Sequence, residues 1–276
     1  MRKLGLIAGG GDLPLRLAAH CADAGRPLHV VRLRGMADVA LASYPGGEVA
    51  LGEVGKAISL VKKAGCENVC FAGQVQRPDL RNLAFDAGGM ALLPKMLSAA
   101  RSGDDALLRV VLGAFEAAGL IVEGAHEVMA SLTLPAGPLG AHAPPPDAMA
   151  DVARALDVAR AIGSFDIGQG AVVCDGLVLA VEAQEGTDAM LRRVAELPAA
   201  LRGAPGAPRG VLAKAPKPIQ ETRVDLPTIG LATLEGVARA GLAGIAGEAG
   251  RVLVLDRERL IARADELGLF VVGVPG

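Results

Sequence analysis

Leu4-Gly-Leu-Ile-Ala8, then Gly9-Gly10-Gly11-Asp12-Leu13-Pro14, then Leu15-Arg-Leu-Ala-Ala-His-Cys-Ala-Asp-Ala-Gly25, reads as strand, glycine loop and helix. The apolar run is too short for a helix, and the segment after Pro14 returns to three- and four-residue spacing. Glycines let a backbone pass close to a phosphate, and the helix N-terminus behind them faces it. This is the first half of a Rossmann-type unit. The spacing departs from the dinucleotide fingerprint, because after Gly9 and Gly11 the third glycine position is Pro14. Proline belongs in the first turn of a helix. Two interpretations stay open: a glycine turn with no ligand, or contacts from Gly9, Gly10, Gly11 and Asp12 to a nucleotide or sugar phosphate.

Outward from this unit, Pro27-Leu-His-Val-Val-Arg-Leu33 is a second strand, and Lys56 to Gly65 is an amphipathic helix stopped by Gly65. Asn68-Val-Cys-Phe-Ala72 is a buried strand that runs into Gly73-Gln-Val-Gln-Arg-Pro-Asp79. Open α/β sheets bind ligands at such carboxyl ends, so Gln74 and Arg77 either face the same crevice as the glycine loop or form a surface turn. Ser102-Gly-Asp-Asp105 caps a helix over Ala106 to Gly119, which makes Asp104 and Asp105 capping acids before metal ligands. Leu120-Ile-Val-Glu-Gly124 closes the domain as a strand. Strands alternating with helices predict a mainly parallel sheet.

At Leu134 the composition turns to proline and glycine with little charge, through Pro146. The expected organisation is α/β throughout: an N-terminal Rossmann-like parallel-sheet domain (1–133), a Pro/Gly-rich linker (134–146) and a second, mixed-sheet α/β domain (147–276). The second domain opens with a helix from Asp147 to Ile162. Asp175-Gly176 between two apolar runs marks a hairpin. Val252 to Asp256 and Leu269 to Gly273 read as strands, with a helix between them.

Hydrophobic residues make up 51% of the 276, but aromatics only 2%, so the core is aliphatic. Lys and Arg number 28 against 30 Asp and Glu, and base-stacking rings are scarce, which argues against a nucleic-acid partner. Cys21, Cys66, Cys70 and Cys174 lack zinc-site spacing and are expected as reduced, buried thiols of a cytoplasmic protein. The glycines that follow Ala8 interrupt the N-terminal apolar run too soon for a signal peptide, and no stretch is long enough to cross a bilayer.

Two charged constellations stand out. In Lys214-Ala-Pro-Lys-Pro-Ile-Gln-Glu-Thr-Arg-Val-Asp-Leu-Pro-Thr-Ile-Gly230 the prolines forbid a continuous helix and hold a rigid loop at a strand end. Its cations can hold phosphate oxygens, and Asp225 can ligate a hard metal or take a proton from water. A solvated loop with surface ion pairs is the plainer alternative. In Glu182-Ala-Gln-Glu-Gly-Thr-Asp188 three acids meet at a strand-to-helix turn, with Gly186 allowing tight geometry and Thr187 placed as cap or oxygen donor. If the two segments meet in space, cations for phosphate and carboxylates for metal or water lie together, as metal-assisted phosphoryl hydrolysis requires.

Ala8 to Pro14, Gly73-Gln-Val-Gln-Arg-Pro78, Gly103-Asp-Asp105, Glu185-Gly-Thr-Asp-Ala-Met190 and Lys214 to Pro227, in this order, resemble the UDP-2,3-diacylglucosamine pyrophosphatases of lipid A biosynthesis, of the type unrelated to calcineurin-like metallophosphoesterases. The resemblance spans essentially the whole chain, with Glu221 where the pattern has Asp. It implies a hydrolase using Mg²⁺ (or Mn²⁺) that splits UDP-2,3-diacylglucosamine into UMP and 2,3-diacylglucosamine 1-phosphate, lipid X. Asp225 would then activate water or hold the metal, and Lys214, Lys217 and Arg223 would neutralise charge on the pyrophosphate. Glu182, Glu185 and Asp188 would be metal ligands or support them, while Gly9 to Asp12, Gln74, Thr187 and Gln220 would bind substrate. Peripheral contact with the inner face of the membrane and a homo-oligomer are compatible with this picture. The rivals are a non-catalytic lipid or nucleotide-sugar carrier, and an NADP-dependent oxidoreductase using Arg32 and Arg34 at the end of the second strand.

Overall fold

The structure, a computed structural model, describes residues 1–75, 83–101, 104–204, 206–218, 221, 223, 224 and 226–276, the side chain of Asp104 excepted. The chain divides into two compact units, Met1–Ala130 and Ser131–Gly276.

Among the described residues the first unit runs β1 (Leu4–Ala8), α1 (Leu13–Asp23), β2 (Leu28–Leu33), β3 (Gly46–Val49) and α2 (Val54–Lys63). It continues with β4 (Asn68–Ala72), α3 (Ala87–Ala99), α4 (Asp104–Ala117), β5 (Ile121–Glu123) and the short α5 (Ala125–Val128). The five strands are all parallel in the order β3-β2-β1-β4-β5. This is the strand order of a doubly wound sheet, with the chain reversing direction across the sheet between β1 and β4. Parallel strands buried on both faces need continuous apolar runs, and β1 is buried at all five positions. Phe71 and Phe115 meet edge to face, with ring centroids 4.9 Å apart.

The second unit begins with β6 (Gly137–Pro138), α6 (Ala148–Ser164), β7 (Gly170–Cys174), β8 (Leu177–Val181) and α7 (Gly186–Glu196). Then come α8 (Ala199–Arg202), β9 (Gly203–Ala204), β10 (Ala207–Pro208), β11 (Val211–Lys214), β12 (Thr228–Ile229) and α9 (Leu231–Arg239). β13 (Gly244–Glu248), β14 (Leu253–Val254), α10 (Arg257–Leu267) and β15 (Phe270–Val274) complete it. Its main sheet is mixed, ordered β6-β15-β13-β11-β7-β8. β11, β13 and β15 run parallel, whereas β7 is antiparallel to β11 and forms the expected hairpin with β8. Side chains alternate across this sheet. Val172, Leu212, Ile245 and Val271 join α7, α9 and α10 in one core layer. Ala171, Val173, Ala213, Ala246 and Phe270 face α6 in the other.

The segment expected to start a linker is built into this unit. Leu134 is fully buried in its core, Gly137 and Pro138 form the edge strand beside β15, and Leu139 is buried. Composition suggested a tether because glycine and proline are as much at home on an irregular sheet edge as in a free linker. All four cysteines are free and buried.

Candidate active site

The carboxyl edge of the mixed sheet brings together three of the predicted residues, Lys214, Glu182 and Thr187. Lys214 ends β11, in register with Gly247 of β13 on one side and Gly170 of β7 on the other. Because β8 runs antiparallel to β7, its carboxyl end delivers Glu182 to the same edge, where the Glu182 amide donates to Gly170 O at 2.8 Å. Both charged residues are buried, Lys214 at 4% exposure and Glu182 at 6%.

Burying a charge is costly unless it is hydrogen-bonded, and here one hydroxyl serves both. Thr187, in the first turn of α7, donates from Oγ1 to Glu182 Oε1 at 2.9 Å and accepts from Lys214 Nζ at 2.9 Å. Lys214 Nζ also donates to Thr228 O, at 3.1 Å, where β12 begins. Glu182 Oε2 is buried with no partner among the described residues. Room for it is made by glycine: a Cβ on Gly170 would stand 2.6 Å from Oε2, and one on Gly168 would stand 2.1 Å from Glu182 O.

The other predicted charges are arranged in pairs. Lys217 Nζ meets Asp166 Oδ1 at 2.6 Å, and Asp166 holds a left-handed backbone with φ 56°. Arg223 forks onto Glu221, Nε to Oε1 at 2.8 Å and Nη2 to Oε2 at 2.9 Å. Glu185 pairs with Arg193 further along α7. Its own backbone amide first, and Arg193 next, hold its carboxyl below the usual range. Asp188 is an exposed acid in the first turn of α7, where it favours the helix dipole. Asp225, Gln220 and Arg77 lie outside the described residues.

For a divalent cation the described residues offer little: none of them form a group of three or more Asp, Glu, His or Cys side chains able to hold one. Of the three acids read as one cluster, only Glu182 turns inward, and its unpartnered Oε2 is the hard oxygen that Mg²⁺ accepts. Glu182 fits as one ligand, while Glu185 is committed to its arginine and Asp188 to solvent.

In the first unit the glycine loop and Gln74 do meet. Gly10 and Gln74 exchange backbone hydrogen bonds of 2.9 and 2.8 Å, and Gly9 N donates to Ala72 O at 2.8 Å. The glycines are needed for this crossing: a Cβ on Gly9 would lie 2.6 Å from Gln74 O, and one on Gly73, at φ 95°, 2.6 Å from Gly10 O. The amides of Gly9 and Gly10 are thus engaged within the protein, leaving Gly11 and Asp12, both exposed, as the outward part of the loop.

Sequence reasoning missed Asp166, Thr228 and Glu248. Glu248 ends β13 at the same sheet edge, 3% exposed, and accepts from Arg160 Nε at 2.6 Å and Arg251 Nη1 at 3.1 Å. The signal was present in Gly244-Ile-Ala-Gly-Glu248, a small-residue strand ending in an acid.

Fold and site together define a two-unit α/β protein whose cationic, carboxylate-bearing sheet edge suits phosphate esters. The chain belongs to the LpxI family: residues 3–132 match the LpxI N-terminal domain and residues 135–272 the LpxI C-terminal domain. It is 65% identical to the UDP-2,3-diacylglucosamine pyrophosphatase LpxI of Caulobacter vibrioides, across 99% of this chain and 98% of that protein. A solved structure from Methylobacillus flagellatus, provisionally assigned as an NAD-dependent epimerase/dehydratase, matches 49% of this chain and 41% of its own. Its 17% identity and TM-score of 0.26 support no argument.

Proposed function

We propose that this protein hydrolyses the pyrophosphate of UDP-2,3-diacylglucosamine to UMP and 2,3-diacylglucosamine 1-phosphate, a step of lipid A biosynthesis. The observation that carries this is the 65% identity to the Caulobacter pyrophosphatase along 99% of the chain. In the reaction a water oxygen bonds to one phosphorus, the bridging P–O bond breaks, and the water protons end on solvent or on a carboxylate.

Lys214 is the central cation in this scheme. It is held by Thr187 and Thr228 at the sheet edge, so its charge is oriented before substrate arrives, and preorganised charge is worth most where water is excluded. Lys217 and Arg223 add positive charge once they exchange their carboxylate partners for phosphate oxygens. Asp225 takes the water proton or serves as a metal ligand, with Glu182 Oε2 as the second donor. Mg²⁺ (or Mn²⁺), when bound, would polarise a phosphoryl oxygen and acidify water. Thr187 and Gln220 are substrate-binding residues in this scheme.

The test is phosphorus NMR of UDP-2,3-diacylglucosamine in heavy-oxygen water with the wild-type protein and Asp225→Ala, each with Mg²⁺ and with chelator. UMP and the lipid 1-phosphate should appear with wild type and Mg²⁺ only, the isotope shift marking the phosphorus attacked. Unchanged substrate with wild type and Mg²⁺ would refute the hydrolase assignment, and turnover in chelator would refute the metal.

A further inference from the structure

Residues 87–101, Ala-Gly-Gly-Met-Ala-Leu-Leu-Pro-Lys-Met-Leu-Ser-Ala-Ala-Arg, contain Lys95 and Arg101 but no acid. Helix α3 occupies most of this stretch and is apolar nearly all round, a pattern that ordinarily belongs to a buried helix. Yet only Gly89 and Met96 of it are buried. At 100° per residue Ala87, Met90, Ala91, Pro94, Leu97 and Ser98 fall on one exposed stripe, apolar but for the Ser98 hydroxyl, with Lys95 on its rim. Met90 is 54% and Leu97 46% exposed.

The helix is firmly mounted. Asp86 caps it by accepting from Gly89 N at 2.7 Å, and the same carboxylate accepts from Gly55 N at 3.3 Å and Lys56 N at 2.6 Å at the start of α2. The approach of the two helices requires glycine, since a Cβ on Gly88 would lie 2.6 Å from Gly55 Cα. Asp86 is thereby occupied, and the exposed bases of the stretch itself are Lys95 on the rim of the stripe and Arg101 just past the end of the helix.

We propose that this face of α3 seats the protein on an anionic lipid surface, from which it takes its substrate. The inference rests on the proposed function, in which the substrate carries two acyl chains. Apolar side chains flanked by bases, with no acid among them, complement an anionic headgroup layer. Thirteen residues span about 20 Å, short of the ~30 Å hydrocarbon core, so the helix lies along the surface. Pro94 agrees with that depth. It removes the donor for the Met90 carbonyl on the exposed side, and that oxygen needs water or a headgroup, which the hydrocarbon cannot supply.

The experiment is co-sedimentation of the full chain with vesicles of phosphatidylcholine alone or mixed with phosphatidylglycerol, comparing wild type with a Met90→Glu, Leu97→Glu double variant. Both are surface positions, and circular dichroism checks the fold. The wild type should prefer the anionic vesicles, and the variant should lose at least about tenfold in partitioning. Both should hydrolyse detergent-dispersed substrate at the same rate. Equal sedimentation of the two proteins, or none by an active wild type, overturns the docking surface. So does a fall in molar mass on substitution, which would make the stripe a contact between copies. A raised KM on dispersed substrate would assign it to acyl-chain binding and overturn it likewise. Loss of hydrolysis in both proteins with the vesicle difference intact would instead count against the proposed reaction.

Discussion

Thr187→Val removes one oxygen and keeps the side chain's shape, so it isolates what that hydroxyl does. In the native site the hydroxyl stands 2.9 Å from both Glu182 Oε1 and Lys214 Nζ. Without it a buried carboxylate and a buried ammonium each lose a hydrogen bond, and bonds to charged groups contribute about 1.5–3 kcal/mol apiece. One such loss expressed at Lys214 in the transition state lowers kcat/KM by roughly 10- to 100-fold. Much of it should fall on kcat, because Lys214 keeps Thr228 O and remains in place but less well aimed. Stability should fall by about 2 kcal/mol, the cost of a buried acceptor left unmade. The assay is initial-rate hydrolysis of UDP-2,3-diacylglucosamine alongside urea unfolding, with Thr187→Ser as the control that keeps the oxygen. Wild-type kinetics from the valine variant would refute the hydroxyl bridge. Equal damage from serine and valine would show that the methyl group, not the oxygen, matters.

Two further outcomes follow from the carboxylate and thiol environments. Burial alone would raise the Asp86 carboxyl, but the amides of Gly89, Lys56, Gly55 and Gly88 outweigh it and hold the group below its ordinary value. A depressed carboxylate stabilises above its unfolded value, so this contribution is complete above about pH 5 and fades as pH falls through ~3.9 toward the folded value. Asp86→Ala should cost about 2–3 kcal/mol in urea unfolding at neutral pH and less below pH 4; a loss under about 0.5 kcal/mol would remove the double cap. Burial pushes the thiols of Cys21, Cys66, Cys70 and Cys174 up, so a thiol reagent at neutral pH should label the native protein only at the rate of unfolding. A rapid burst of labelling at any of them would contradict that burial.

The sequence was most legible where periodicity and punctuation agree. Leu4–Ala8, Asn68–Ala72 and the Asp175-Gly176 hairpin fall where apolar runs and glycine turns put them. β13 escaped because Gly244-Ile-Ala-Gly-Glu248 is poor in β-branched residues, although it is central in its sheet. Its glycines answer to neighbours, not to propensity: a Cβ on Gly244 would meet the Phe270 ring at 2.5 Å, and one on Gly247 would meet Val252 at 2.9 Å. Val252 to Asp256, apolar enough to read as a full strand, contributes only the two-residue β14 beside β12. α3 went unread because an apolar segment with an internal proline has no clear period.

At the site, nearness along the chain misled for the acids. Glu182, Glu185 and Asp188 are close in sequence, but the turn from β8 into α7 points them apart, one inward, one to Arg193 and one to solvent. The pairing of Glu182 with Lys214 through Thr187 depends on strand order, which no local pattern encodes. Likewise Gly9 and Gly10 read as phosphate-approach residues, whereas their immediate need, shared with Gly73, is the crossing of two backbones.

The placing of β11 has a consequence for how the protein comes into being. The strand that ends in Lys214 pairs on one side with β7, synthesised well before it, and on the other with β13, which leaves the ribosome well after it. The lysine's acceptor at Thr228 also arrives late. A nascent or truncated chain stopping soon after Lys214 therefore has the cation without the framework that aims it. Sheets of such long-range pairing close late and cooperatively, so activity should emerge all at once with the final strands instead of growing in proportion to chain length.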